Sequence, residues 1–133
     1  MPTETRIVVL PQEPGPLEIQ TVVLPDPGPY QVVVKQYASG VCHSQLHQMH
    51  RERLNPIVLG HESTGIVLQV GSEVTNVTEG DTVLVTWVPR DAANANRTPD
   101  AASIKLSSGE IATSQNVFTW AEHTIADEQY VVK

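Results

Sequence analysis

The chain has 133 residues, 40% hydrophobic, 17% charged and only 5% aromatic, a globular composition that excludes a coiled coil, collagen or a disordered tail. Fifteen acidic against eight basic side chains give a formal charge of −7, so no basic face is available for phosphates, which speaks against nucleic acid and anionic membranes as partners. The single cysteine, Cys42, permits no intrachain disulfide and fits a reducing, cytoplasmic setting.

One domain over residues 1–133 is expected, since a chain of this size buries roughly two-thirds of its unfolded surface and builds one core rather than two. Ten prolines, seven of them before residue 30, punctuate short β-rich runs and predict a mainly β fold. In chain order the runs are Thr5–Leu10, Leu17–Leu24 and Tyr30–Tyr37, separated by Pro-Gly breaks at 11–16 and 25–29. A helix is predicted over Cys42–Arg53, where Cys42, Leu46 and Met49 form an apolar stripe. His43, His47 and His50 line a neighbouring face, and Pro56 stops the helix. Two more strands, Thr64–Val70 and Thr82–Trp87, flank turn chemistry at 71–72 and 79–81. Residues 89–116 hold few large apolar side chains and read as a long surface excursion, of the kind that tends to be functional. The interval Val117–Val132 closes the fold with one or two strands, broken at Asp127-Glu128. The longest apolar runs, Ile7–Leu10 and Val32–Val34, fall far short of the ~20 residues of a bilayer span. No cationic and apolar leader opens the chain, so no signal peptide is expected.

Four of the five histidines and the only cysteine lie between Cys42 and His61. Thiolate and imidazole are the borderline-soft donors zinc prefers, and a catalytic zinc takes about three protein ligands plus an open position. Cys42 and His61 can supply two of them. His43 and His47, spaced i and i+4, make a rival pair. A cysteine on an apolar stripe is equally an ordinary core residue, and three histidines on one face equally a solvated stripe.

Gly40-Val41-Cys42-His43-Ser44 with Leu46-His47, Pro56 to Glu62 containing Gly60-His61-Glu62, Gly65-Ile66-Val67 with Val70-Gly71, and Gly80-Asp81-Thr82-Val83 resemble the N-terminal part of zinc-dependent alcohol dehydrogenases, in the medium-chain dehydrogenase/reductase superfamily. Trp120 to Thr124 resembles that family's return strand, and the match runs from about Thr5 to Tyr130. The resemblance implies a GroES-like β-barrel with short helices. By the same resemblance Cys42 and His61 are the first two ligands of a catalytic zinc, and Glu62 is the acid beside the metal. Ser44 receives the alcohol proton and His47 relays it toward solvent, while His43 faces the pyrophosphate of NAD or NADP. The implied reaction is reversible oxidation of a small-molecule alcohol to an aldehyde or ketone.

The sequence departs from the family's pattern in three places. Gln45 stands where many members carry an aspartate on the histidine ligand, so weaker metal binding is expected. Residues 89–116 contain no cysteine, which excludes the four-cysteine structural zinc found there in many members. No third zinc ligand and no glycine-rich Rossmann fingerprint occur among the 133 residues. The chain is therefore expected to be inactive alone and to self-associate as a homo-oligomer through an uncovered apolar surface. The competing reading is a non-enzymatic zinc-binding or assembly module derived from this domain. A zinc-free relative resembling quinone reductases would not need Cys42 and Gly60-His61-Glu62 together.

Overall fold

A computed structural model describes residues 2–90 and 97–133. The expected mainly β architecture is found: ten strands, one α-helix and one 3₁₀ turn among the described residues. Strands β1 (Thr3–Leu10), β2 (Glu18–Leu24), β4 (Ile57–Val58), β7 (Ser103–Lys105) and β8 (Ile111–Thr113) form one sheet in the order β2-β1-β4-β8-β7. Strands β3 (Gln31–Ser39), β5 (Glu62–Val70), β6 (Thr82–Thr86), β9 (His123–Asp127) and β10 (Val131–Val132) form the second, in the order β10-β6-β5-β3-β9.

The alternating burial of β1 and β2 follows their sequence pattern, with Ile7, Val9, Val22 and Leu24 inward. Strand β3 behaves differently. Val32, Val33 and Val34 are all fully buried, because Val33 joins a core with Ile7, Val58, Phe118 and Ile125 while Val32 and Val34 join a second cluster with Val67, Val83, Val85 and Tyr130. A strand covered on both faces accepts a continuous apolar run, and each such valine contributes roughly 1.5–3 kcal/mol of transfer free energy.

The expected break at Asp127-Glu128 is the 3₁₀ turn Glu128–Tyr130, capped by Asp127, whose Oδ1 accepts from the Gln129 N–H at 3.0 Å. The surface reading of 89–116 needs correction in its C-terminal half. There β7 and β8 make an antiparallel hairpin, and Ala102, Ile104, Leu106 and Ala112 pack into the core with Ile7 and Phe118. Short strands with alanine inward and serine, lysine or threonine outward carry too little apolar contrast to read as strands. Residues 91–96 of that segment lie outside the described ones. On their near side Arg90 pairs with Glu128 at 3.1 Å; on the far side Arg97 grips Asp127 at 2.6 and 2.9 Å and stacks over the Tyr30 ring.

The helix is also shorter than its pattern. It spans His43–Met49, with Cys42 as N-cap and His50 as C-cap. Beyond Met49 the Arg53 guanidinium donates to the carbonyls of Met49, Arg51 and Pro11, so the helix end is satisfied by a side chain instead of by further turns. Its buried face is Gln45 and Gln48, whereas Leu46 of the expected apolar stripe is 46% exposed. No helix among the described residues is long and apolar enough to cross a membrane.

Candidate metal centre and substrate cleft

Two loops bring the sequence-marked residues together. One leaves β3 through Ser39-Gly40 into Cys42 at the head of the helix; the other runs from β4 through Leu59-Gly60 into His61 and β5. Thr119 and Trp120 brace both. Their backbone N–H groups donate to the Leu59 carbonyl at 2.9 and 3.0 Å, the Trp120 indole donates to the Gly40 carbonyl at 3.1 Å, and the Ser39 and Thr119 hydroxyls bond at 2.8 Å. The Gly40 N–H donates to the Glu62 carbonyl at 2.7 Å, which joins one loop directly to the other.

Gly60 is required here on two counts. Its φ of +92° lies in the left-handed region, and a Cβ would collide with the Thr119 hydroxyl and the Trp120 ring. At Gly40 a Cβ would meet only the side chain of the exposed Glu62, which can swing aside, so the demand for glycine is strict at Gly60 alone.

Cys42, Ser44 and His61 line one cleft of about 460 Å³, together with Trp87, Gln115 and Asn116. The His61 and Trp87 rings lie 6.2 Å apart between centroids. Hydrogen bonds from the Ser44 hydroxyl and backbone hold the Cys42 thiol below its ordinary value, against burial and the nearby Glu62 charge, which push it up. Gln45 is buried beneath this group. Its Oε1 accepts the Cys42 N–H at 2.6 Å, and its Nε2 reaches Ser44 Oγ at 3.2 Å and His61 Nδ1 at 3.3 Å.

His43 and His47 are placed otherwise. Both are exposed on the helix, their rings form an edge contact at 4.7 Å between centroids, and neither lines the cleft. Glu62 is exposed at the start of β5, against Gly40. Trp87, Gln115 and Asn116 were not singled out by the sequence. Asn116 has a φ of +76°, and its side-chain amide donates to the Trp87 carbonyl at 3.1 Å, so it fixes the backbone behind the tryptophan. Asparagine tolerates that conformation better than most residues, which is the one local signal that marks it.

The alcohol dehydrogenase GroES-like domain family matches residues 28–133, a stretch that contains every residue of this cleft. The chain belongs to that family. An alcohol dehydrogenase of Rhizobium meliloti (strain 1021) is 47% identical over 77 residues, which cover 55% of this chain and 23% of the relative. Sorbitol dehydrogenase of Gallus gallus is 33% identical over 96 residues, covering 67% of this chain and 27% of its own length. In fold, the GroES-like domain superposes over its whole length on 42% of an alcohol dehydrogenase zinc-binding domain protein from Burkholderia ambifaria, with a TM-score of 0.81 at 21% identity. The chain thus spans about a quarter of the curated relatives it matches and corresponds to part of an alcohol dehydrogenase catalytic domain.

The donor set suits a family zinc in kind. A thiol held toward thiolate and an imidazole open on the same cleft, with a carboxylate close enough to act on that thiol. Among the described residues no group of three or more His, Cys, Asp and Glu side chains converges on one point.

Proposed function

We propose that this GroES-like domain supplies the metal-holding and alcohol-binding half of an NAD- or NADP-dependent alcohol dehydrogenase, acting on a small-molecule alcohol or aldehyde. The observation that carries the reading is that Cys42, Ser44 and His61 line one cleft together with Trp87. Cys42 and His61 would hold a zinc ion, with Glu62 beside them. When bound, such an ion supplies Lewis-acid polarisation of the alcohol oxygen.

The chain's own residues do the rest. Trp87 offers an apolar wall to the alcohol's carbon chain, and Gln115 a polar group at the same opening. The Ser44 hydroxyl, already bonded to the cysteine side chain, takes the alcohol proton as it gives up its own, and His47, one helical turn on along the exposed helix face, passes that proton to solvent. His43, exposed on the first turn, would meet the phosphates of the dinucleotide, as the family resemblance implies. Positioning of the nicotinamide ring falls to residues outside these 133, since the sequence holds no glycine-rich strand-to-helix cradle. A single cysteine kept reduced to serve as a metal ligand fits a reducing, cytoplasmic setting. Val41, Leu46, Trp87 and Val88 are 46–78% exposed on or next to the elements of the cleft, and we infer that the isolated chain self-associates through them.

The test is a chimera in which residues 1–133 replace the corresponding part of a related alcohol dehydrogenase. Alcohol oxidation is expected, and Cys42→Ala or His61→Ala should abolish it. A folded, zinc-loaded chimera with no turnover, or one in which both substitutions are silent, would overturn the reading.

A further inference from the structure

Three atoms decide how Gln45 is turned. The Cys42 backbone N–H can only donate, so the Gln45 atom 2.6 Å from it is the carbonyl Oε1. The amide's other end, the donor-only Nε2, then faces His61 Nδ1 at 3.3 Å and Ser44 Oγ at 3.2 Å. A neutral imidazole carries one ring hydrogen, and an Nδ1 that accepts from an amide has none to give. The hydrogen must sit on Nε2.

We propose that Gln45 is a positioning residue that locks His61 into its Nε2–H tautomer and thereby opposes metal binding at the cleft. The inference deepens the metal reading above and rests on His61 being a ligand there. A metal needs a ring lone pair. Nδ1 spends its own on the Gln45 amide, and Nε2 has none until its proton is moved. Freeing Nε2 requires an acceptor facing Nδ1, so the amide must turn over, which places its NH₂ against the Cys42 N–H and breaks the helix-capping bond. Gln45 is 1% exposed, so no water is at hand to replace the lost partner. Ligation of His61 and capping of the helix that carries Cys42 are therefore antagonistic in this chain.

Gln45→Glu separates the two. The side chain keeps its length, one carboxylate oxygen still accepts from Cys42 N–H, and the other accepts from His61 Nδ1–H, which leaves Nε2 bare. The experiment uses the full 133-residue chain and its Gln45→Glu variant, both checked for fold by circular dichroism. Long-range ¹H–¹⁵N spectra assign the His61 tautomer without metal, and zinc alone is titrated against a chromophoric chelator. The expected result is Nε2–H in the wild type, Nδ1–H in the variant, and at least about a tenfold gain in zinc affinity on the substitution. Wild-type His61 with its hydrogen on Nδ1, or equal zinc affinity in two chains that both bind it, would overturn the proposal. Absence of zinc binding in both chains would reject His61 as a metal ligand, while the tautomer assignment still decides the role of Gln45.

Discussion

Gly60 sits immediately before His61 with φ +92°, boxed in by Thr119 and Trp120, so the residue that aims the imidazole tolerates no side chain. Gly60→Ala is expected to cost about 2–4 kcal/mol, a strained backbone plus a displaced brace, read as a shift of the urea midpoint. Asp127 is the other residue on which much depends. Burial works to raise its carboxyl, but the Arg97 guanidinium and the N–H groups of Gln129 and Asp100 outweigh this and hold it below its ordinary 3.8. A carboxyl lowered in the folded chain contributes stability that is complete above its unfolded value and lost as pH falls through the folded one. Asp127→Asn should therefore lower stability at neutral pH by about 2–4 kcal/mol, and the gap to wild type should close below about pH 4. Equal denaturant midpoints at neutral pH would contradict this account of Asp127. At this scale the sequence was informative about donors, since Cys42 and His61 stand out by type and spacing. It was silent on Trp87, Gln115 and Asn116, which reach the cleft through tertiary placement alone.

Among the elements, the strands with strong β-branched contrast were legible to within two residues at each end, as in β1, β2 and β5. The hairpin of β7 and β8 was not. Its inward residues are Ala102, Ile104, Leu106 and Ala112, and only its packing against Ile7 and Phe118 makes it part of the core. Ile104→Ala should accordingly cost about 2–4 kcal/mol, as a core truncation does, where a surface loop would lose under about half a kcal/mol. Thermal or urea unfolding distinguishes the two. The helix was legible in existence but not in orientation. Its 3.6-residue pattern pointed Leu46 inward, whereas the structure buries Gln45 and Gln48, and the Gln45 amide is what meets His61 and Ser44. A hydrophobic pattern cannot foretell a helix whose most buried side chain is a hydrogen-bonded amide.

At the scale of the molecule, the two sheets enclose two clusters of buried apolar side chains, while Cys42 and Ser44 at the head of the helix line the cleft with His61, Gln115 and Asn116. The 133 residues assayed alone with alcohol, zinc and NAD or NADP should give no reduction of the nicotinamide, because their sequence carries no glycine-rich strand-to-helix fingerprint to hold the dinucleotide against the cleft. Size-exclusion chromatography should show species larger than the monomer, in keeping with the exposed Val41, Trp87 and Val88. The central claim is narrower than either: Cys42 and His61 serve one metal. Cobalt(II) in place of zinc tests it most directly, because a cobalt–thiolate bond gives an intense ultraviolet charge-transfer band. The account predicts such a band, weak in the wild type and stronger in Gln45→Glu, lost in Cys42→Ser and sharply reduced in His61→Ala. A band that His61→Ala leaves untouched, or none in either the wild type or Gln45→Glu, would contradict it.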